Sequence, residues 1–484
     1  MHRAIARPPV ALACAGCILL AIACNGPTAA TDAGSDAAAN GSDVGTDAAT
    51  APDMARADDG GIGVDAGGDD AGANDDASAN VDSGADGGSG PWHDITDSTA
   101  WSFFDVQTAV AGSGFGGGAF DGRYVYFAPS GGASNGAVAR YDTTSTAGYS
   151  NTSSWTSFDA STLTPDAHGF HGAVFDGRYV YFMPETHSVI ARYDTTAATG
   201  FANAASWTSF DLTAVASGLS FAGGVFDGRY VTCVPSSLSG ANGTTARYDT
   251  TSAAGFADVS SWTTFDLRTL PGAPADFTGA VSDGHYLYFV PSGNVHLVTR
   301  FDTTSTAGFQ AAASWTTFDV STIDGRVESY AGGSFDGRYV YLAPQGGVAV
   351  RYDTTASAGF TAGSSWSTFD AQAVNATARA FEGAAFDGRY VYLVPSTYGV
   401  VARFDTAASA GFGDPSSWQF PDLTTLNAGA SEFGGAIFDG RYLYLVPHAG
   451  AVGTSVIGAR FDARVPAAIP TLPGWFTWGP ASFL

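Results

Sequence analysis

The sequence predicts an all-β fold class: seven small sheets of four strands each, arranged in a closed ring. Three observations lead there. The pentapeptide Phe-Asp-Gly-Arg-Tyr begins at Phe120 and returns at Phe175, Phe226, Phe335, Phe386 and Phe438, with an altered copy, Ser282-Asp283-Gly284-His285-Tyr286, between them. Successive copies are about 50 residues apart, the signature of a repeat array and not of one large core. A second element, Trp-x-x-Phe-Asp, occurs at Trp101 before any copy of the first and is missing after the last.

One unit reads Gly172 to Pro184, then Ile190 to Asp194, then Trp207 to Asp211. Each piece is short, rich in β-branched and aromatic residues, and bounded by turn residues. Strand a is glycine-rich and ends at the Phe before Asp-Gly. The Asp-Gly dipeptide supplies the positive φ of a tight two-residue hairpin. Strand b, Arg-Tyr-Val-Tyr-Phe, is apolar at nearly every position, so both its faces are expected to be buried. Strand c is Val-Ala-Arg-Tyr-Asp, and strand d is Trp-x-x-Phe-Asp. Glycines such as Gly116 to Gly118, Gly223-Gly224 and Gly434-Gly435 suit an innermost strand, where sheets converge.

The ends of the array indicate closure. The last unit has strands a, b and c but no d, and Trp101 to Asp105 supplies the missing strand. This pattern resembles the seven-bladed β-propellers, whose ring is closed by an N-terminal strand joining the C-terminal blade. The resemblance spans 92–462 and is distantly kelch-like. Kelch units place a Gly pair before a spaced Tyr and Trp; here the pair precedes Phe-Asp-Gly-Arg-Tyr. The chain then divides into 1–23, 24–91, 92–462 and a C-terminal tail, 463–484, whose plain reading is docking over the outside of the ring.

The N-terminus carries an address. Arg3 and Arg7 precede an apolar run from Val10 to Ile22, too short to span a bilayer. Leu20-Ala21-Ile22-Ala23-Cys24 resembles a bacterial lipobox, which implies cleavage after residue 23 and lipidation of Cys24. Asn25 after the cysteine implies the outer membrane. Ala21 and Ala23 also satisfy ordinary signal peptidase, so secretion is the alternative. Residues 24–91 are Asp, Ala, Gly, Ser and Asn with few large apolar groups, a composition that stays disordered. A tether of that length spans roughly 45 Å end to end.

The formal charge is −26, and Lys and Arg together number 20. An acidic body repels phosphate backbones, so nucleic acid is excluded as a partner. The membrane is expected to be reached only through the lipid anchor, and the ring is expected to be a monomer. Cys14 and Cys17 lie in the apolar signal run, which leaves no redox or metal pair. Cys233 takes a place that other units give to Phe or Leu, and is read as a core residue.

Spacing locates the working face. The Asp of strand c stands 13 residues before the Trp of strand d in each countable unit, as in Asp142 to Trp155 and Asp405 to Trp418. The b–c connection varies, from 7 residues (Pro344 to Arg351) to 13 (Pro447 to Arg460). Variable loops on a rigid scaffold tend to carry function, so the b–c/d–a face is the expected working face. The turn aspartates and the strand c arginines recur in every unit. They are read as a structural ladder of turns and ion pairs, the arginines suiting carboxylates.

Residues that fail to repeat are the candidates. The second position of strand a reads Gly116, His171, Ala222, Thr278, Ala331, Glu382, Gly434, so His171 and Glu382 are expected to border the axial channel. His168, Glu432 and Arg379 stand close by in sequence, and Glu185, His187 and His448 follow strand b. The expected binding residues are His171, Glu382, His168, Glu432, Glu185 and His448. No G-x-S-x-G elbow, P-loop, H-E-x-x-H or dinucleotide fingerprint occurs, so no catalytic residue, metal or cofactor is assigned. The expected function is a surface-tethered, non-enzymatic module binding protein or glycan. The alternative is an extracellular polysaccharide hydrolase or lyase with its active site at the channel mouth.

Overall fold

A computed structural model describes residues 92–111, 114–130, 136–236, 243–293, 296–448, 456–464 and the backbone of 482–483. The expected signal segment, Cys24, the acidic tether and most of the C-terminal tail lie outside the described residues.

Seven antiparallel sheets follow one another along the chain, each with the strand order a-b-c-d. In the first blade these are Phe115–Phe120, Tyr124–Pro129, Ala137–Asp142 and Trp155–Asp159. The seven a strands touch one another in sequence, and the last touches the first, so they line a closed ring. The ring is sealed as the sequence implied. Trp101–Asp105 pairs antiparallel with Ile457–Asp462, from Trp101 opposite Phe461 to Asp105 opposite Ile457. Trp92 bridges Arg464 beyond it. The protein is a seven-bladed β-propeller.

The core is divided into seven apolar clusters, each formed mainly by two adjacent blades. Every strand d tryptophan is at its centre. Trp207 stacks on Phe158 of the preceding blade at 4.5 Å, and its indole donates to the Phe201 carbonyl at 2.7 Å. Burying an aromatic side chain contributes about 1.5–3 kcal/mol, and a buried indole N–H needs a partner. The constant spacing between strands c and d therefore has a cause. The loop must return a carbonyl six residues ahead of each tryptophan. Cys233 is fully buried, as expected of a core residue.

Four local expectations change in the structure. In the hairpin, Phe120 pairs with Val125 and Asp121 donates its N–H to the Tyr124 carbonyl, so the central pair is Gly122-Arg123 and not Asp-Gly. Gly122 takes φ +98° in the first central place, while Asp121 stays outside and accepts the N–H groups of Arg123 and Tyr124 at 2.8 and 2.6 Å. The inner glycines do more than save room. Strand a slips register after its first residue, and Gly117, Gly172, Gly223, Gly332, Gly383 and Gly435 hold positive φ at that bulge.

The ladder also has a different wiring. The arginine of Phe-Asp-Gly-Arg-Tyr, not that of strand c, grips the carboxylate. Arg123 meets Asp142 with Nη2 to Oδ2 at 2.8 Å, and five further blades repeat the pair. In the fourth blade His285 takes the arginine's place against Asp302 at 3.1 Å. The strand c arginine lies between rings: Arg192 is 4.0 Å from the Tyr179 centroid and 4.3 Å from that of Phe256 in the next blade. Such stacking suits a weakly hydrated planar cation. The Thr-Thr after strand c of the first five blades closes the turn, Thr144 N–H donating to Asp142 at 3.0 Å. Finally, Ser482–Phe483 runs parallel to the innermost strand Phe433–Phe438, so this piece of the tail reaches the ring's inside and not its outside.

Candidate functional site

One end of the axial channel is ringed by two sets of side chains. The first is the second residue of each strand a. The second follows the proline of each strand b and reads Ser130, Glu185, Ser236, Ser292, Gln345, Ser396, His448. Strand pairing brings the sets together, because the first residue of strand a faces that proline, as Phe115 faces Pro129 and Phe381 faces Pro395. This is the b–c/d–a face. Most of both rings is small. The exceptions are His171 and Glu185 of the second blade, Gln345 of the fifth, Glu382 of the sixth and His448 of the seventh, which flank the two small residues of the first blade.

His171 leans over Gly116; a Cβ on that glycine would stand 2.9 Å from the His171 ring. Gly434 makes the same allowance for His448, 3.3 Å from its would-be Cβ, and lies 3.3 Å from the Gly116 Cα on the same measure. Two glycines thus admit two imidazoles. Glu382, from the sixth blade, accepts hydrogen bonds from Gln345 and Ser396 and feels the charges of His171 and Glu185. Burial raises its carboxyl above the ordinary value, against the opposing pull of His171 and those two hydrogen bonds. Burial also lowers His448, helped by the nearby His171. Among the described residues, His171 Nδ1 and Ser130 Oγ are buried with no partner. Buried donors and acceptors left open are costly, and they are what an incoming polar group would satisfy.

The backbone beside Glu382 is held in an unfavourable form. Ala380 has φ +55°, where the first and second blades use Gly114 and Gly169. Its N–H donates to the Gln345 carbonyl at 3.0 Å and its carbonyl accepts from Ser396 N–H at 2.7 Å. The strained residue therefore fixes both partners of the buried carboxyl.

Of the six expected binding residues, Glu382, His171, Glu185 and His448 share the channel mouth. Glu432 supplies its carbonyl to the His448 N–H at 3.1 Å. His168 joins a separate group. Its ring lies 4.1 Å from that of His187, centroid to centroid, and His187 Nδ1 is 3.8 Å from Asp166. Donor atoms of Asp166, His168 and His187 fall within 4.8 Å of one another, and among the described residues His168 Nδ1 is buried without a partner. Such a set could take a divalent cation with water completing the shell, although no metal was expected. Gln345, Ser396 and Tyr398 were not anticipated. The residue following each strand b proline carried the signal for the first two. Tyr398 is exposed, with Arg379 bonded to its hydroxyl at 2.8 Å, and Val374 and Leu426 are exposed on the same face.

No protein-family model and no curated protein matches the sequence. Several solved structures resemble the fold. YCF48 bound to D1 peptide has a TM-score of 0.46 at 14% identity, over 75% of this chain and 96% of that one. YCF48 from Cyanidioschyzon merolae has 0.45 at 12%, over 75% and 98%. A chain of the mitotic checkpoint complex has 0.47 at 10%, over 75% and 95%. The propeller assignment rests on the strand pairing and the closed contact ring themselves.

Proposed function

We propose that this chain is a non-enzymatic binding module that holds a protein partner on the b–c/d–a face, anchored to the outer membrane through Cys24. The observation that carries the reading is the one-sided group at the channel mouth, where Glu382, His171 and His448 interrupt a ring of small residues and leave His171 Nδ1 open. Exposed Tyr398, Val374 and Leu426 extend that side with an apolar rim, a mix suited to a protein surface. Full-length chain with Glu382→Ala and Tyr398→Ala should lose a partner crosslinked by the wild type on cells, while its melting curve stays cooperative. Retention of the same partner by the double variant would overturn the reading. Palmitate labelling that persists in Cys24→Ser would remove the anchor.

A second reading draws on the buried Glu382 beside His171, a pairing able to pass a proton. It makes the channel mouth the active site of a polysaccharide hydrolase or lyase. Glycan binding without turnover would favour a glycan ligand over this chemistry. Release of sugar ends that disappears in Glu382→Gln would favour the enzyme.

A further inference from the structure

The most unusual blade is the third, and its departure is on the opposite face. In six blades the middle of strand b is a tyrosine whose hydroxyl donates to Oδ2 of the turn aspartate. Tyr126 reaches Asp121 at 2.6 Å, Tyr181 reaches Asp176 at 2.7 Å, and Tyr444 reaches Asp439 at 2.8 Å. Tyr288, Tyr341 and Tyr392 do the same. In the third blade this residue is Thr232, directly across from Arg247 in the sheet. Its Oγ is buried without a partner among the described residues. Asp227 receives the N–H groups of Arg229 and Tyr230 at 2.9 and 2.6 Å, but no tyrosine hydroxyl comes to its Oδ2.

A second hydroxyl is missing at the same interface. Arg460 and Arg192 donate to Tyr141 and Tyr248 of the following blade at 3.1 and 3.5 Å. The residue in that position opposite Arg247 is Phe301. Arg247 remains stacked between Tyr230 and Phe309, at 3.9 and 4.3 Å. Burial raises the Asp227 carboxyl and lowers the Arg247 guanidinium, whose Nε donates to Thr263 at 3.3 Å.

The missing groups leave a space. A cavity of about 380 Å³ is lined by Asp227, Arg247, Tyr230, Phe301 and Phe309, among others. The equivalent tyrosine elsewhere packs on two rings of the next blade, as Tyr181 does on Tyr248 and Phe256 at 6.0 and 5.8 Å. At this interface those rings would be Phe301 and Phe309, two of the cavity walls. Asp227, the acceptor such a hydroxyl would find, is another.

We infer that the cleft between the third and fourth blades is a binding site for a phenol: a flat ring against Phe301 and Phe309, its hydroxyl donating to Asp227 and accepting from Arg247. The phenol is either a small free molecule or the tyrosine side chain of a peptide; both present the same ring and hydroxyl. The site shares no residue with the channel mouth, so it stands or falls independently of the function proposed above.

The test uses the full-length chain with three probes: p-cresol, toluene and a blocked Gly-Tyr-Gly peptide. p-Cresol should bind about tenfold or more tighter than toluene, the share expected of a hydrogen bond to a charged group. Thr232→Tyr should abolish p-cresol binding and raise the melting temperature, because the chain then fills its own cleft. Asp227→Asn should weaken p-cresol while leaving toluene nearly unchanged. Binding of the peptide as well as p-cresol identifies a partner's tyrosine as the occupant; binding of p-cresol alone identifies a free phenol. Equal binding of p-cresol and toluene, no binding of either, or undiminished p-cresol binding in Thr232→Tyr would each overturn the proposal.

Discussion

Arg178 closes on Asp194 with two parallel contacts, Nη2 to Oδ2 at 2.7 Å and Nε to Oδ1 at 3.3 Å. The arginine comes from the a–b turn and the aspartate from the end of strand c, so the pair ties the inner hairpin to the third strand. Similar pairs join Arg229 to Asp249 and Arg338 to Asp353.

These pairs predict an acid limit. The arginine's hydrogen bonds hold Asp194, Asp249 and Asp353 at about 2, below the ordinary 3.8. A carboxyl depressed in the folded state stabilises the fold above its unfolded pKa, and loses that contribution as pH falls through the folded one. The melting temperature should therefore drop between about pH 4 and pH 2. In the triple variant Arg178→Gln, Arg229→Gln, Arg338→Gln the drop should be shallower. An unchanged slope would show that the pairs are neutral.

Removing one buried hydroxyl should be costly out of proportion to its size. Tyr181→Phe leaves Asp176 Oδ2 without its 2.7 Å donor in a partly buried setting. The expected loss is about 1–3 kcal/mol, read from denaturant unfolding. A cost near zero would mean that water replaces the hydroxyl.

Glu382 carries the opposite pH sign. Its folded pKa is raised, chiefly by burial, so its favourable contribution is present below the unfolded value and is lost as pH rises through the folded one. Glu382→Gln should therefore gain on the wild type in melting temperature as pH goes from 4 to 8. A difference that is flat with pH would place the carboxyl in contact with bulk water.

Closure depends on one indole. Trp101 donates to the Ile95 carbonyl at 2.9 Å and lies 4.8 Å from the Phe461 ring. Trp101→Ala should cost about 3–5 kcal/mol, as large aromatic deletions do. Amide exchange should accelerate first in Ile457–Asp462, the strand that the N-terminal strand covers. Uniform acceleration around the ring would show instead that the blades unfold as one unit.

The ring was legible because its determinants are local and repeated. Trp101 ahead of the first unit and Asp462 ending the last were enough to imply closure. The wiring was less legible. Arg178 and Arg192 are chemically identical in the sequence, and only the direction in which each strand turns its side chains sends one to a carboxylate and the other between rings. The channel mouth was half visible: His171 and Glu382 stood out because they do not repeat. Gln345 and Ser396 looked ordinary until register set them against Glu382. Thr232 drew no reading from the sequence, because its consequence depends on Phe301, about seventy residues away and one blade over.

The blade that closes the ring also decides how the protein answers a mechanical pull. Trp101–Asp105 is the outermost strand of that blade, and the chain reaches it directly from Trp92. A force applied ahead of Trp92 is delivered to this strand before any other. It would strip the hydrogen bonds to Ile457–Asp462 one after another from the Trp101 end, as a zip opens, before any strand of the six complete blades is peeled. The seal would act as a fuse, lengthening the chain ahead of the ring while those six blades keep their strands.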